Sequence, residues 1–469
     1  MNRPKPAPVS ERASSFLNDL LNTLTERGRN LLSWRSSGAP LTRMQLIELA
    51  ETLLSRKGEA TGVALARTLL EAYANASRED RLAFLDAMAE QFGPDETALT
   101  RAIEAVRAGS FEPGAVKRLH KAAEPRRQEL IRRLNLAPGG TSSLVKMREE
   151  LLAVLRERPQ LSDVDDDFVH LFSSWFNRGF LVLRRIDWTT PANILEKIIR
   201  YEAVHAIENW DDLRNRLAPP DRRCYGFFHP QLVDEPLIFV EVALTRDIPP
   251  AIAPLLDLDR KVIGSDEATT AVFYSISNTQ RGLGGISFGN FLIKQVVEDL
   301  KRELPNLTTF VTLSPVPGFA DWLNRERKND ASTFLDADQR ATLTNLDVPG
   351  WADDPLLAAR VEPAMLSAAA AYFLTARTSR GGLVDPVARF HLGNGARLER
   401  LNVLGDRSDK GMQQSHGLMV NYLYALNEIE SNHEAYAEKR QVAASSQVRK
   451  LLTARAAPGD IAPLAPVTS

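Results

Sequence analysis

The sequence predicts an α+β chain, with an all-helical N-terminal domain followed by a domain built on a mixed sheet. Three observations carry this. Apolar residues recur at helical spacing to about residue 185, compact β-rich runs appear from about residue 222, and a glycine-rich turn joins one such run to an amphipathic helix. At 469 residues the chain exceeds one typical core. We therefore read 1–185 as a helical domain suited to oligomerisation, 186–455 as the sheet domain, and the Pro/Ala-rich 456–469 as a disordered tail.

In the first half, Phe16, Leu17, Leu20, Leu21 and Leu24 share one helical face, as do Val63, Leu65, Leu69, Leu70 and Tyr73. Gly and Pro at "SGAP", "FGPD" and "LAPGG" punctuate the helices. No catalytic pattern stands out here, and a bundle that pairs subunits is the preferred reading. At the junction, "DWTTPANILEKIIR" offers Thr190 as N-cap, Pro191 as first helical residue, and Ile194, Leu195, Ile198 and Ile199 as the apolar face.

In the second half, "PLIFVEVAL" (236–244), "TAVFYSIS" (270–277) and "LTTFVTLS" (307–314) read as strands. "FGNFLIKQVVEDLKREL" (288–304) reads as an amphipathic helix with Phe291, Leu292, Val296, Val297 and Leu300 inward. "PVARFHLGNGARLERLNVL" is expected to form a β-hairpin around Asn394-Gly395, a strong two-residue turn signal. "LMVNYLY" precedes a last helix.

Composition narrows the function. A net charge of −2 gives no argument for nucleic acid or anionic membranes, and no stretch approaches the roughly 18 apolar residues of a membrane span. The single cysteine, Cys224, forbids an intrachain disulfide and favours a reducing, cytoplasmic setting. Its two arginine neighbours would activate an exposed thiol, whereas a buried structural role is the commoner outcome. The seven histidines show no metal-ligand spacing, so no zinc site is expected.

Between the strands, "NTQRGLGGISFGN" places Gly282, Gly284, Gly285 and Gly289 at a helix N-terminus. The unpaired N–H groups of a first helical turn and the positive dipole end suit a phosphate. No Gly-Lys-Ser/Thr follows, so this is not a Walker loop. Further on, "VTLSPVPGF" (311–319) places Ser314 at a strand's end, as nucleophile, binding group or stiff-loop residue.

The glycine loop resembles the Q/R-x-x-G-x-G/A loop of GNAT-type acetyltransferases, which cradles the pyrophosphate of coenzyme A. Gly282-Leu283-Gly284 fits the last three positions, and Thr279 departs at the first. The longer stretches are more specific. "YSISNTQRGLGGISFGNFLIKQVVEDLKRELPNLTTFVTLSPVPGF" with "ARFHLGNGARLERLNVLGDRSDKGMQQSHGLMVNYLY", "RCYGFFHP" and "EAVHAIENWDDL" resembles the malonyl-CoA decarboxylase family over about 170–430. The resemblance implies a helical domain before a GNAT-like catalytic domain, release of carbon dioxide from malonyl-CoA to leave acetyl-CoA, and a homotetramer. It implies no cofactor beyond the coenzyme A of the substrate.

By the family motifs, the catalytic serine falls on Ser314 and the catalytic histidine on His391. Tyr424 and Asn421 are implied as substrate-binding residues. The CoA-binding loop comprises Gly282, Gly284, Gly285, Ile286, Ser287, Phe288, Gly289 and Asn290, with Ser287 standing where some members carry glutamate. His229 is the rival catalytic histidine.

The chemistry needs donors for the enolate oxygen and a proton for carbon, which a histidine of near-neutral pKa suits. Ser314 sits on no Gly-x-Ser-x-Gly elbow and Pro315 has no N–H for an oxyanion hole, so an acyl-enzyme is disfavoured. Two rival functions share the loop: a CoA-dependent acyltransferase and a non-catalytic acyl-CoA sensor.

Overall fold

The computed structural model describes residues 42–55, 58–108, 112–286 and 292–452. The chain forms two compact units, one of Met1–Asn177 with Gln280–Ser287, the other of Arg178–Thr279 with Phe288–Ser469. The helix expected at Phe16–Leu24 and the tail from Ala456 lie outside the described residues, as do Ser287, Phe288, Gly289 and Asn290 of the glycine loop.

The first unit is helical throughout its described residues, from Arg43–Ser55 to Ser162–Trp175. Local caps start its helices: Ser77 accepts from the Asp80 N–H at 3.0 Å and so ends the chain's approach to Arg78–Gln91. Leu69, Leu70 and Tyr73 of Glu59–Asn75 turn inward, and Tyr73 meets Phe84 edge to face at 5.9 Å. A buried Arg127–Asp167 pair ties two of the helices.

The loop 280–286 packs against the helix Gly140–Val154 of the same unit. Arg148, only 2% exposed, pairs with Asp165 at 2.7 Å and donates through Nη1 to the carbonyls of Gly282 at 2.8 Å and Gly284 at 2.9 Å. A Cβ on Gly282 would collide with the Val145 carbonyl oxygen. Gly282 is therefore a glycine because a helix backbone lies against it. Gly285 adopts the left-handed conformation at φ +77°.

The second unit is built on an eight-stranded mixed sheet in the order β1-β2-β3-β4-β5-β8-β6, with β7 also pairing β8. The strands are β1 (Val182–Ile186), β2 (Arg222–Phe228), β3 (Pro236–Thr245), β4 (Thr270–Asn278), β5 (Thr309–Thr312), β6 (Ser314–Pro315), β7 (Arg397–Asn402) and β8 (Met419–Leu423). Strands β1 to β4 run antiparallel, while β4 and β5 are parallel, as a crossover through the helix Leu292–Glu303 requires. One face is covered by Ala192–Tyr201 and Trp210–Leu217, whose Ile194, Leu195, Ile198 and Leu213 pack on Cys224 and Phe239. The α+β class, with helices first and a mixed sheet second, is as the sequence predicts. Among the described residues no helix is long and apolar enough to cross a membrane.

Three expectations are corrected. Pro191 is the N-cap of Ala192–Tyr201, one residue later than expected, because Thr190 turns its hydroxyl back to accept from the Asp187 N–H at 3.0 Å. The run 307–314 is interrupted at Leu313, which parts β5 from β6. The expected hairpin at 386–404 is a helix, Pro386–Gly393, followed by β7. Asp385 caps it by accepting from the Ala388 N–H at 2.7 Å, and Pro386 supplies its first residue. At its end Gly395 takes φ +81°, with Gly395 N–H bonded to Leu392 O at 3.0 Å and Ala396 N–H to His391 O at 3.1 Å. That pattern is a Schellman closure, in which Asn-Gly stops a helix rather than turning a hairpin.

Candidate active site

Ser314 and His391 meet in the second unit. Ser314 begins β6 and pairs with Val420 of β8, and its hydroxyl donates to Thr312 Oγ1 at 2.9 Å. His391 is the residue whose carbonyl receives the Schellman bond, so the cap that ends its helix also holds its backbone. From there Nε2 reaches Ser314 Oγ at 3.2 Å and Nδ1 lies 2.8 Å from the Tyr424 hydroxyl. Tyr422 stacks on the imidazole at a centroid distance of 4.6 Å and 25° between planes.

The bonding pattern has one consistent polarity. Thr312 Oγ1 accepts from Ser314 and also from the Tyr422 N–H at 3.1 Å. With its proton directed to Thr312, Ser314 Oγ accepts from Nε2–H, and the Tyr424 O–H then donates to Nδ1. All three groups are buried, with Ser314 5% exposed, His391 3% and Tyr424 1%. Burial pushes the imidazole down to about 3 and the Tyr424 phenol well above its ordinary value. The free site thus holds a neutral imidazole, not the near-neutral titrating one expected.

Asn421 has a different place. Its Nδ2 donates to Thr312 O at 2.8 Å, and its Oδ1 accepts from Asn402 Nδ2 at 2.8 Å and Arg400 Nε at 3.1 Å. At 0% exposure the amide is engaged in joining β5, β7 and β8, so it braces the strand that leads directly into Tyr424. Gly282, Gly284, Gly285 and Ile286 belong to the first unit, where the carbonyls of Gly282 and Gly284 point to Arg148. His229 stands outside the Ser314 cluster and accepts from the Gln231 N–H at Nδ1. Cys224 is fully buried and burial raises its thiol well above the ordinary range, so it is a structural residue.

Sequence reasoning missed Thr312, Tyr422 and Asp385. Thr312 and Ser314 are two apart, as are Tyr422 and Tyr424, the spacing that puts strand residues on one face. The Asp385-Pro386 pair is a helix-start signal. Asp385 is 1% exposed, and burial pushes its carboxyl up to about 7.

Comparison with known proteins points to one family. The family description "Malonyl-CoA decarboxylase C-terminal domain" matches residues 179–460, and "Malonyl-CoA decarboxylase N-terminal domain" matches residues 92–176. The crystal structure of malonyl-CoA decarboxylase from Rhodopseudomonas palustris is 70% identical and superposes with a TM-score of 0.85, covering 88% of this chain and 100% of that one. That from Agrobacterium vitis is 60% identical with a TM-score of 0.83, covering 87% and 100%. The mitochondrial malonyl-CoA decarboxylase of Anser anser anser is 35% identical over 400 residues, 78% of this chain and 79% of its own length. The chain belongs to the malonyl-CoA decarboxylase family.

Proposed function

We propose that this chain, a carboxy-lyase by family, converts malonyl-CoA to acetyl-CoA and carbon dioxide through the linked Ser314, His391 and Tyr424. The observation that carries the mechanism is the 3.2 Å approach of Ser314 Oγ to a buried His391 Nε2. The imidazole is neutral in the free site because burial penalises its charge. A malonyl carboxylate brought beside it supplies the opposite charge, and the imidazole takes up one proton. Tyr424 accommodates the change, since its hydroxyl can turn from donating to Nδ1 to accepting from Nδ1–H.

The bond between the carboxylate carbon and C2 then breaks. Its electron pair moves into the thioester as an enolate, and carbon dioxide leaves. Ser314 gives its hydroxyl proton to C2 and recovers one from His391 Nε2, so the proton taken up on binding ends in acetyl-CoA. No metal or organic cofactor enters this balance, because the thioester is the electron sink. CoA binding by the loop 282–290, self-association as a homotetramer and a cytoplasmic setting belong to the same reading, on the family resemblance and the lone cysteine.

The test is to incubate the purified chain with malonyl-CoA and follow acetyl-CoA and carbon dioxide together. Equimolar formation of both, abolished in His391→Asn with the fold intact, supports the proposal. Binding without turnover, or full activity in that variant, overturns it.

A further inference from the structure

A depression of about 560 Å³ in the second unit is lined by Arg377, Arg380, Arg389, Arg440 and Tyr436. Among the described residues none of these four guanidinium groups forms an ion pair with a carboxylate. Three of them are instead braced on backbone carbonyls. Arg377 donates to Ala376 O and Leu374 O, both at 2.9 Å. Arg389 donates to Leu383 O at 2.5 Å and Val384 O at 3.0 Å, and Arg440 to Arg380 O at 3.0 Å.

The floor is a closed turn. Thr378 N–H bonds to Gly382 O and Gly381 N–H to Thr378 O, each at 2.8 Å, and Arg377 bridges Leu383. Gly381 takes φ +76°, and a Cβ there would collide with the Arg440 guanidinium. Arg440 itself holds φ +52°, an uncommon conformation for a residue with a side chain. The arrangement therefore gathers like charges at a cost. Arg377 is driven below its ordinary value by burial and by Arg440, and three arginines act on the Tyr436 phenol. Guanidinium forks held on backbone carbonyls, with the nearby Asp385 carboxyl beyond ion-pair distance of Arg389, match the oxygens of phosphate groups, and Thr378 and Ser379 add hydroxyls at the same rim.

We propose that this arginine pocket binds a small polyanion of the phosphate class. Arg389 lies two residues before His391 on the helix Pro386–Gly393, exposed where His391 is buried, so an anion held there touches the outer side of that helix. The inference does not depend on the decarboxylase mechanism.

Calorimetric titration of the full-length protein with inorganic pyrophosphate tests it without turnover. A saturable heat, weakened at least tenfold in Arg377→Gln/Arg440→Gln and also in Arg389→Gln, is expected, with unchanged thermal melting showing that each variant folds. No saturable heat at millimolar pyrophosphate, or the same dissociation constant in folded variants, overturns the site. The KM for malonyl-CoA in the same variants separates two sources of the phosphate. A raised KM with kcat retained identifies the phosphates of the substrate's own coenzyme A, and an unchanged KM with lost pyrophosphate binding identifies a separate phosphorylated ligand.

Discussion

His391 Nε2 lies 3.2 Å from Ser314 Oγ although 77 residues separate them in sequence. One sits at the last turn of a capped helix and the other at the first residue of a two-residue strand, so both are fixed by backbone rather than by flexible side-chain reach. Thr312 and Tyr424 close the two ends of the hydrogen-bonded row.

Replacing Ser314 by alanine removes the group next to the imidazole and leaves Nε2 without its partner. We expect kcat to fall by ~10²–10³, the scale for loss of one preorganised donor, while the dissociation constant for CoA stays within about twofold. Steady-state rates paired with CoA titration measure both, and unchanged kcat would remove Ser314 from the reaction.

Tyr424→Phe keeps the ring and deletes only the hydroxyl bonded to Nδ1. A buried nitrogen left unsatisfied costs about 1–3 kcal/mol. We expect kcat for malonyl-CoA to drop about tenfold. The proton uptake measured in weak buffer on mixing with a malonyl-CoA analogue that cannot lose carbon dioxide should fall as well. Wild-type uptake in the variant would exclude the hydroxyl as the group that stabilises the imidazolium.

Asp385 titrates at about 7 in the folded chain, against 3.8 for the ordinary carboxyl. The folded state holds a proton that the unfolded state has lost, so this residue's contribution to stability is full below pH 3.8 and disappears as pH rises through 7. The buried His391 works in the opposite direction, losing stability as pH falls from 6.5 toward 3. Subtracting the denaturation free energy of Asp385→Asn from that of wild type isolates the carboxyl. The difference should move against wild type between pH 4 and 7, with a slope of up to about 1.4 kcal/mol per pH unit. A flat difference would mean that Asp385 stays ionised.

Gly282→Ala places a methyl group against the Val145 carbonyl and must displace the loop that Arg148 holds. We expect a loss of about 1–3 kcal/mol in stability and a higher KM for malonyl-CoA with kcat less affected. Gly284→Val tests the loop from a roomier position, where the nearest atom to a new Cβ is Arg281 O at 3.2 Å. An unchanged KM in both would detach the loop from CoA binding.

The sequence by itself determined what short-range chemistry can encode. The strands at 236–245 and 270–278 and the amphipathic helix after the glycine loop follow from periodicity and composition over a few residues. The motifs around Ser314, His391 and Tyr424 were legible as residue patterns. The tertiary structure decided what depends on distant chain. Asn394-Gly395 is the same local signal for a hairpin and for a helix stop; it stops a helix here because Asp385 and Pro386 begin one and Ile429 closes over Gly395. The neutral state of His391 was equally invisible, because desolvation is set by the whole shell of neighbours and not by the residues beside it. Gly282 read as a phosphate-loop glycine, yet its missing side chain is required by a helix 137 positions earlier, at Val145. Local patterns fix elements because their interactions span a turn or a pleat, whereas burial and proximity come into being only when those elements pack.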